Sequence, residues 1–548
     1  MCGIFGILNE SEISEKIIKS FELGKSRGPE NSSIKKYGNC ITGFHRLAIN
    51  GLDEVSNQPF IDGDIILTCN GEIYNYRELA KSNNISLKTN SDCEIILHLY
   101  KLFSIEYILN ILDGVFAISI YNQTTGELLL ARDPYGVRPL FYASDNNRFL
   151  YASEIKSLYG LCTDKKNIIE FSPGSFMKMD KDLRYSIERY TNFPCRNIIY
   201  KNESCILTYE IFTMINEAVR KRVEGTCDRP IACLLSGGLD SSLICGMVNK
   251  YYKNPQHKLE TYSIGLPGSE DLKYARLVAD HLGTNHHEIV VSEQDFFNAI
   301  PEVIEAIESY DTTTVRASVG NYLIAKWIRE NSNAKVVFNG DGADELMGGY
   351  LYFHKAPSAS YFDMECKRLL TDISKYDVLR SDRSISSNGL EARTPFLDRK
   401  WVEFYLSIDR ETRFHSINGL CEKYLIRKAF QDYCPTILPE AVLWRTKEAF
   451  SDGVSSHERS WYQIIQDSII FKIEYDNRLK ISLQEILENL DMYNKPKTLE
   501  QAYYRYLYDS HYIGCERTIP YFWMPKFVEA SDASARTLDI YKDVNRKI

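Results

Sequence analysis

The sequence predicts two catalytic domains in series, an α+β unit followed by an α/β unit that ends in a largely helical part. Three observations carry that expectation. The first ~190 residues read as short apolar strands separated by turn signals. Helix and strand signals alternate from about residue 205, and the final third is helical in pattern. A chain of 548 residues exceeds what one hydrophobic core supports, so it divides into 1–190, a linker at 191–204, and 205–548.

The elements follow in order. Ile65–Cys69, Val115–Tyr121 and Leu128–Ala131 are strand candidates. Ser91-Asp92-Cys93-Glu94 before Ile95–Leu99 fits an N-capped helix. The polar stretch around Pro194 is the linker. Thr208–Arg222 is expected to be helical, with Thr208 as N-cap and Arg220, Lys221 and Arg222 in the last turn. Pro230–Leu235, Thr261–Gly265 and Ala334–Gly340 read as short strands, the first running into a Gly-rich turn.

Composition narrows the function classes. At 44% hydrophobic and 25% charged the chain is an ordinary globular one. A net charge of −9 disfavours nucleic acid or an anionic membrane as partner. No apolar run approaches the ~18–20 residues that span a bilayer, and there is no basic, apolar leader. The 14 cysteines are scattered without a CxxC pair, so neither a zinc site nor a disulfide framework is expected, and the compartment is a reducing one, the cytoplasm. His286 and His287, adjacent on a strand, face opposite ways and do not make a metal pair.

The chemistry begins at Cys2. Removal of Met1 leaves one residue that carries both a thiol and a free α-amine. That amine titrates near pKa ~7.7–8.0 and can take the thiol proton without a histidine. Only the thiolate attacks. Arg46 is suited to clasp a carboxylate at two points. Asn70 and Gly71 offer a side-chain amide and a main-chain N–H, the two donors of an oxyanion hole, while Glu72 and Asp92 are anionic partners for an ammonium group. Singly, each has a plainer reading: a surface arginine, or an Asn-Gly hairpin turn.

Taken together, these residues resemble the class II glutamine amidotransferase domain, an N-terminal-nucleophile hydrolase. The matching segments are CGIFGI (2–7), RGP (27–29), HRLAI (45–49), QP (58–59), NGEIYNYREL (70–79), SDCE (91–94), LDGVFA (112–117) and LARDPYGVRPL (130–140). The resemblance implies stacked antiparallel sheets between helices and attack of Cys2 on the side-chain amide of glutamine, releasing ammonia. It also implies that Asn70 and Gly71 stabilise the oxyanion. Arg46, Leu47, Ala48, Ile49 and Asn50 would form one wall of the glutamine site, with Arg46 on the α-carboxylate and Glu72 and Asp92 on the α-ammonium.

In the second half SGGLDSS (236–242) sits where a strand runs into a helix. Its glycines let the backbone wrap a phosphate, its serines and the helix N-terminus add donors, and Asp240 can engage Mg²⁺. The lysine of a Walker loop is absent, and a generic Gly-Ser turn is the plain alternative. The motif resembles the pyrophosphate loop of the ATP-pyrophosphatase superfamily.

With both halves in one chain, the sequence from residue 2 to about 540 resembles the glutamine-hydrolysing asparagine synthetase family. That implies attack of the aspartate β-carboxylate on the α-phosphorus of ATP, followed by displacement of AMP by ammonia. By the same resemblance Leu235, Ser236, Gly237, Gly238, Asp240, Ser241, Ile264, Asn339 and Gly340 bind the nucleotide and pyrophosphate. Lys423 would stabilise pyrophosphate charge, Asp341 would take the place of a family glutamate, and Thr314 and Arg316 would serve the aspartate side. The implied small molecules are glutamine, aspartate and ATP with Mg²⁺, and the expected assembly is a homodimer.

Two departures stand out. The family's SGEGSDE reads NGDGADE at 339–345, which leaves Asp341 one methylene short, about 1.3–1.5 Å less reach. Glu30 follows RGP where Asp is usual. An amidating enzyme for another carboxylate and a non-catalytic metabolite sensor are the competing readings. Cys2 and the EKYLIR (422–427) and WRTKEAFSDG (444–453) segments oppose the first; Cys2, Asn70, SGGLDSS and Lys423 oppose the second.

Overall fold

In the computed structural model, residues 1–194, 198, 204–226, 228–456, 458–539 and 541 are described. The amino-terminal half contributes β1 (Gly3–Leu8), β2 (Asn31–Tyr37), β3 (Cys40–Arg46), β4 (Phe60–Asp62), β5 (Ile65–Ile73) and β6 (Gly114–Asn122). After these come β7 (Leu128–Arg132), β8 (Phe141–Asp145), β9 (Arg148–Ala152), β10 (Ile169–Glu170), β11 (Ser175–Met179) and β12 (Tyr185–Arg189). They form two sheets, ordered β10-β8-β9-β1-β3-β2 and β12-β11-β7-β6-β5-β4, and the pairings are antiparallel.

Strand alternation explains the layering. Ile4, Phe44, Ile66, Ala117, Leu130 and Met177 meet in the core between the sheets. Their neighbours Leu67 and Cys69 turn outward onto Ile95, Ile96 and Leu99 of the Glu94–Tyr100 helix. Asn70 lies an even number of residues from Ile66, so the same alternation points it inward, toward Cys2.

The carboxy-terminal half holds β13 (Ile231–Leu234), β14 (Glu260–Gly265), β15 (Asn285–Val290), β16 (Val336–Phe338) and β17 (Glu391–Arg393). These form one parallel sheet in the order β15-β14-β13-β16-β17. Among the described residues beyond β17 the named elements are all helices. His286 and His287 do face opposite ways: His286 meets the hydroxyls of Thr261 and Ser263 at 2.9 and 3.1 Å, whereas His287 stacks on the Tyr262 ring. Among the described residues no helix is long and apolar enough to cross a membrane.

Two local expectations are corrected. The helix after Ser91 starts at Glu94 without a side-chain N-cap bond. Asp92 is engaged elsewhere, accepting the Ile73 N–H at 2.6 Å. The next long helix spans Ser204–Glu224, so Thr208 lies within its first turns and donates its hydroxyl to the Cys205 carbonyl instead of capping. Within the 191–204 linker, Ile198 exchanges main-chain hydrogen bonds with Ser407 and Asp409 at 2.6 and 3.0 Å. Residues 195–197 and 199–203 lie outside the described residues.

The halves share buried surface. Met1, Phe5, Ile7 and Phe21 pack in one core with Ile300, Ile304 and Leu390. Arg27, fully buried, donates to the Cys2 carbonyl (2.9 Å), Glu154 (3.1 Å), Asp382 (2.7 Å) and Ser386 (2.9 Å). Removing this cation strands buried carboxylates from both halves, so Arg27→Ala is expected to cost about 3–5 kcal/mol. The midpoint of guanidinium unfolding measures it; an unchanged midpoint would contradict the ion-pair account.

Candidate active sites

The first site is built at the start of β1 and the end of β5. The Cys2 N–H donates to Asn70 Oδ1 at 3.1 Å, and the Cys2 thiol faces the Leu47 carbonyl at 3.7 Å. Asn70 Nδ2 is buried with no hydrogen-bond partner, which leaves a donor open in the site. Gln58 fixes the strand just upstream, its amide accepting from Cys69 N–H at 2.6 Å and donating to the Cys69 carbonyl at 3.1 Å. Nothing in the sequence singles out Gln58 beyond its place in the QP match. Gly71 sits opposite Phe116 of β6.

The wall from Arg46 to Asn50 is pinned from both halves. Ala48 N–H donates to Glu30 at 2.8 Å, Arg229 donates to the Ala48 carbonyl at 2.7 Å, and Asp228 accepts the Gly51 N–H at 2.9 Å. Ile49 is buried, and Asn50 donates to Glu72 at 3.0 Å. Glu72 and Asp92 are both buried; burial pushes the Asp92 carboxyl up to about 6 and holds that of Glu72 well above the usual range. Arg46 departs from expectation. Its Nη1 and Nη2 donate to Asn57 (2.7 Å) and to the carbonyls of Asp53, Asn50 and Gly51. A two-point clasp needs two parallel N–H groups on one edge, and all four Nη hydrogens are already spent within residues 50–57, so here Arg46 shapes that loop.

The second site lies at the carboxyl ends of the parallel strands, where an open α/β sheet leaves a crevice. Leu235, Ser236, Gly238, Asp240 and Ser241 after β13, Ile264 at the end of β14, and Asn339, Gly340 and Asp341 after β16 line one cleft of about 1100 Å³. The Leu239–Tyr251 helix begins at Gly238 with no side-chain cap, and Gly238, Asp240 and Ser241 of this end line the cleft. Gly237 has φ +72° and packs against the Tyr274–Ala275 backbone, where a Cβ would come within 2.4 Å. A Cβ at Gly340 would sit 2.7 Å from Ser241 N, so only glycine lets the β16 loop reach the 236–241 turn.

Four charges converge on the cleft. Lys423 Nζ, buried, lies 2.6 and 2.7 Å from the Asp240 oxygens and 2.7 Å from Asp344. Lys447 reaches Asp344 at 2.6 Å and Asp240 at 3.7 Å. Asp344 is held well below the usual carboxylate range: its two lysine partners outweigh its burial. Lys447 lies inside the WRTKEAFSDG segment, yet nothing there marks it as one of a pair.

Asp341 is held by Arg380 at 2.7 Å and by Asn339 Nδ2 at 2.8 Å. Arg380 comes from the Asp377–Ser386 helix and carried no signal in the sequence. The Thr314 hydroxyl and N–H both donate to Asp311, the cap of the Thr312–Asn331 helix, beside a small pocket next to the cleft. Arg316 is corrected. Its guanidinium is buried between Glu500 (2.6 and 2.8 Å) and Asp532 (2.7 and 2.8 Å), so two carboxylates of the chain already occupy the place of an aspartate ligand. Thr313 and Ala317 of the same helix line the cleft instead.

Sequence comparison places each half of the chain in a known family. A family model described as glutamine amidotransferase domain matches residues 1–193, and one described as asparagine synthase matches 210–365 and 356–470. Curated relatives named asparagine synthetase [glutamine-hydrolyzing] are 40% identical over 573 positions in Cricetulus griseus and 39% identical over 573 in Homo sapiens. The one from Gallus gallus is 38% identical over 580. In each case 99% of both chains is covered. The chain belongs to the glutamine-hydrolysing asparagine synthetase family. Against SGEGSDE the NGDGADE loop differs at three positions, Asn339, Asp341 and Ala343, and the first two are in contact. Where the usual serine is replaced by Asn339, the longer amide bridges the shortened Asp341 (2.8 Å) and Ser381 (2.6 Å). Glu30 likewise stays engaged, on the Ala48 N–H and Arg229.

Proposed function

We propose that this chain makes asparagine from aspartate, with ATP as activating substrate and glutamine as the source of ammonia. One observation carries the reading: a second-position thiol beside an unpartnered amide donor shares the molecule with a phosphate turn backed by two lysines. Ammonia release belongs to 1–190 and synthesis to 205–548, joined by 191–204. The enzyme is cytoplasmic and homodimeric; light scattering reads the second of these.

With Met1 in place, Cys2 nitrogen is an amide and burial pushes the thiol up to about 11. Excision of Met1 turns that nitrogen into an amine able to take the thiol proton. The thiolate then attacks the glutamine side-chain carbonyl, Asn70 Nδ2–H and Gly71 N–H stabilise the oxyanion, and ammonia leaves. Glu72 and Asp92 receive the α-ammonium. Water hydrolyses the thioester to glutamate.

In the cleft, the aspartate β-carboxylate displaces pyrophosphate from ATP, and Lys423 and Lys447 neutralise the charge that develops on it. Arg380 and Asn339 hold Asp341 at the reacting centre. Ammonia then attacks the acyl carbon and AMP leaves. Asp240 and Asp344 offer the hard oxygen donors that suit Mg²⁺, which takes one or two carboxylates together with substrate phosphates. When bound, Mg²⁺ supplies charge neutralisation on the polyphosphate.

Aspartate-dependent pyrophosphate release from Mg-ATP tests the synthetase half directly. Asp341→Ala is expected to lower it at least about 100-fold while glutamine hydrolysis continues. Synthesis that survives the change would remove Asp341 from the reaction. Glutamine hydrolysis should also report the Asp92 carboxyl, raised by burial to about 6. A protonated carboxyl no longer attracts an ammonium, so kcat/KM is expected to fall as pH drops through about 6, approaching tenfold per unit. A flat profile between about pH 5 and 8 would exclude that role.

A further inference from the structure

We propose that Arg393 is a positioning residue that couples the two active sites: its side chain holds Glu72 of the glutamine pocket while its main chain holds the Asn339–Asp341 loop of the nucleotide cleft. The inference rests on the proposed function for what each site binds. Arg393 is buried in β17, with Nη2 3.2 Å from Glu72 Oε1 and Nε 2.8 Å from Glu391 Oε1. Its carbonyl accepts the Asn339 N–H at 3.0 Å, just past the register pair Phe338 and Arg393. Asn339 Nδ2 then holds Asp341. From the carboxylate assigned to the glutamine ammonium to the carboxylate at the adenylation loop, the path crosses two residues, Arg393 and Asn339.

The hold on Glu72 is electrostatic rather than directional: burial raises the Glu72 carboxyl, and the Arg393 charge 3.2 Å away opposes that rise and favours the ionised form. Arg393 Nε, Nη1 and Nη2, together with Arg138 Nε and Nη2 and Glu391 Oε1, are buried without a hydrogen bond of good geometry, and the Arg393 guanidinium lies 5.4 Å from the centre of the Tyr74 ring, a non-directional contact. Arg27, a short way along the same interface, donates to the Cys2 carbonyl, Glu154, Asp382 and Ser386 instead. Directional charge-assisted hydrogen bonds fix a guanidinium in place, and proximity of charge alone does so less firmly. An ammonium arriving at Glu72 competes with Arg393 for the same carboxylate and drives the guanidinium toward Glu391. Because Arg393 is part of the short strand that carries the Asn339 hydrogen bond, its displacement bears on the nucleotide loop.

Coupling of this kind is reciprocal. The test uses the full chain with Cys2→Ala, so that glutamine binds without being consumed. Calorimetry, with aspartate saturating in every arm, reads glutamine Kd with and without a saturating non-hydrolysable ATP analogue, and the Kd of that analogue with and without saturating glutamine. With Arg393 present, the two ratios are expected to be equal and to differ from one by at least about fivefold. In Arg393→Met both ligands still bind and both ratios fall to one; Arg393→Lys, which keeps the cation, restores part of the effect. A ratio of one with Arg393 present, or an undiminished ratio in Arg393→Met, overturns the proposal. The titrations with native Arg393 and with Arg393→Lys decide the matter even if Arg393→Met fails to fold. Failure of the Arg393-containing protein to bind glutamine or the nucleotide at all strikes the proposed function instead.

Discussion

Cys2→Ala is expected to lower glutamine-dependent asparagine formation by at least about 10⁴-fold, the scale of losing a catalytic nucleophile. Formation from ammonium salts should continue near the wild-type rate. The reason is spatial: Cys2 is framed by Asn70 and Leu47, whereas the cleft is lined by residues 234 to 451. Parallel assays of asparagine with each nitrogen source check the result. Loss of both activities would mean that Cys2 supports the synthetase cleft; retention of both would mean that it is not the nucleophile.

Lys423→Ala carries the second large effect. The lysine sits at a helix start with φ +57° and places one ammonium against Asp240 and Asp344. Without it, both carboxylates depend on Lys447, and like charges are left close together in a buried place. Pyrophosphate release is expected to fall about 10²–10³-fold, as on loss of one transition-state donor, with glutamine hydrolysis preserved. Arginine should not rescue it, since the bulkier guanidinium does not fit the place of a compact ammonium packed against Gly349 and 2.7 Å from both Asp240 and Asp344. A coupled pyrophosphate assay decides: an unchanged rate would reduce Lys423 to a structural clamp.

Much of both sites was legible in the sequence because it depends on local rules. Period-two alternation along β5 already places Asn70 on the same face as Ile66. The strand-turn-helix at 231–251 is readable from a short apolar run, two glycines and a polar helix start, and it delivers the phosphate turn wherever the rest of the chain goes. Even the departure at 339–345 is visible as residue types. That Asn339 makes good the shortened Asp341 is not visible, because it depends on Ser381 approaching from another helix.

Arginine roles were the least legible. Arg316 was expected to face aspartate, yet it is closed off by Glu500 and Asp532, 184 and 216 residues further along the chain. Arg46 carries the family position for a carboxylate clasp and is turned onto its own loop. Arg380 and Lys447, which complete the cleft, gave no spacing signal of their own. The sequence by itself determined the thiol at position 2, the two classes of chemistry, and the local geometry of the strands and turns that present them. Tertiary structure alone decided which cation meets which carboxylate. Backbone preference and periodicity act over a few residues, whereas a buried ion pair forms between whichever side chains folding brings within about 4 Å, at any separation in sequence.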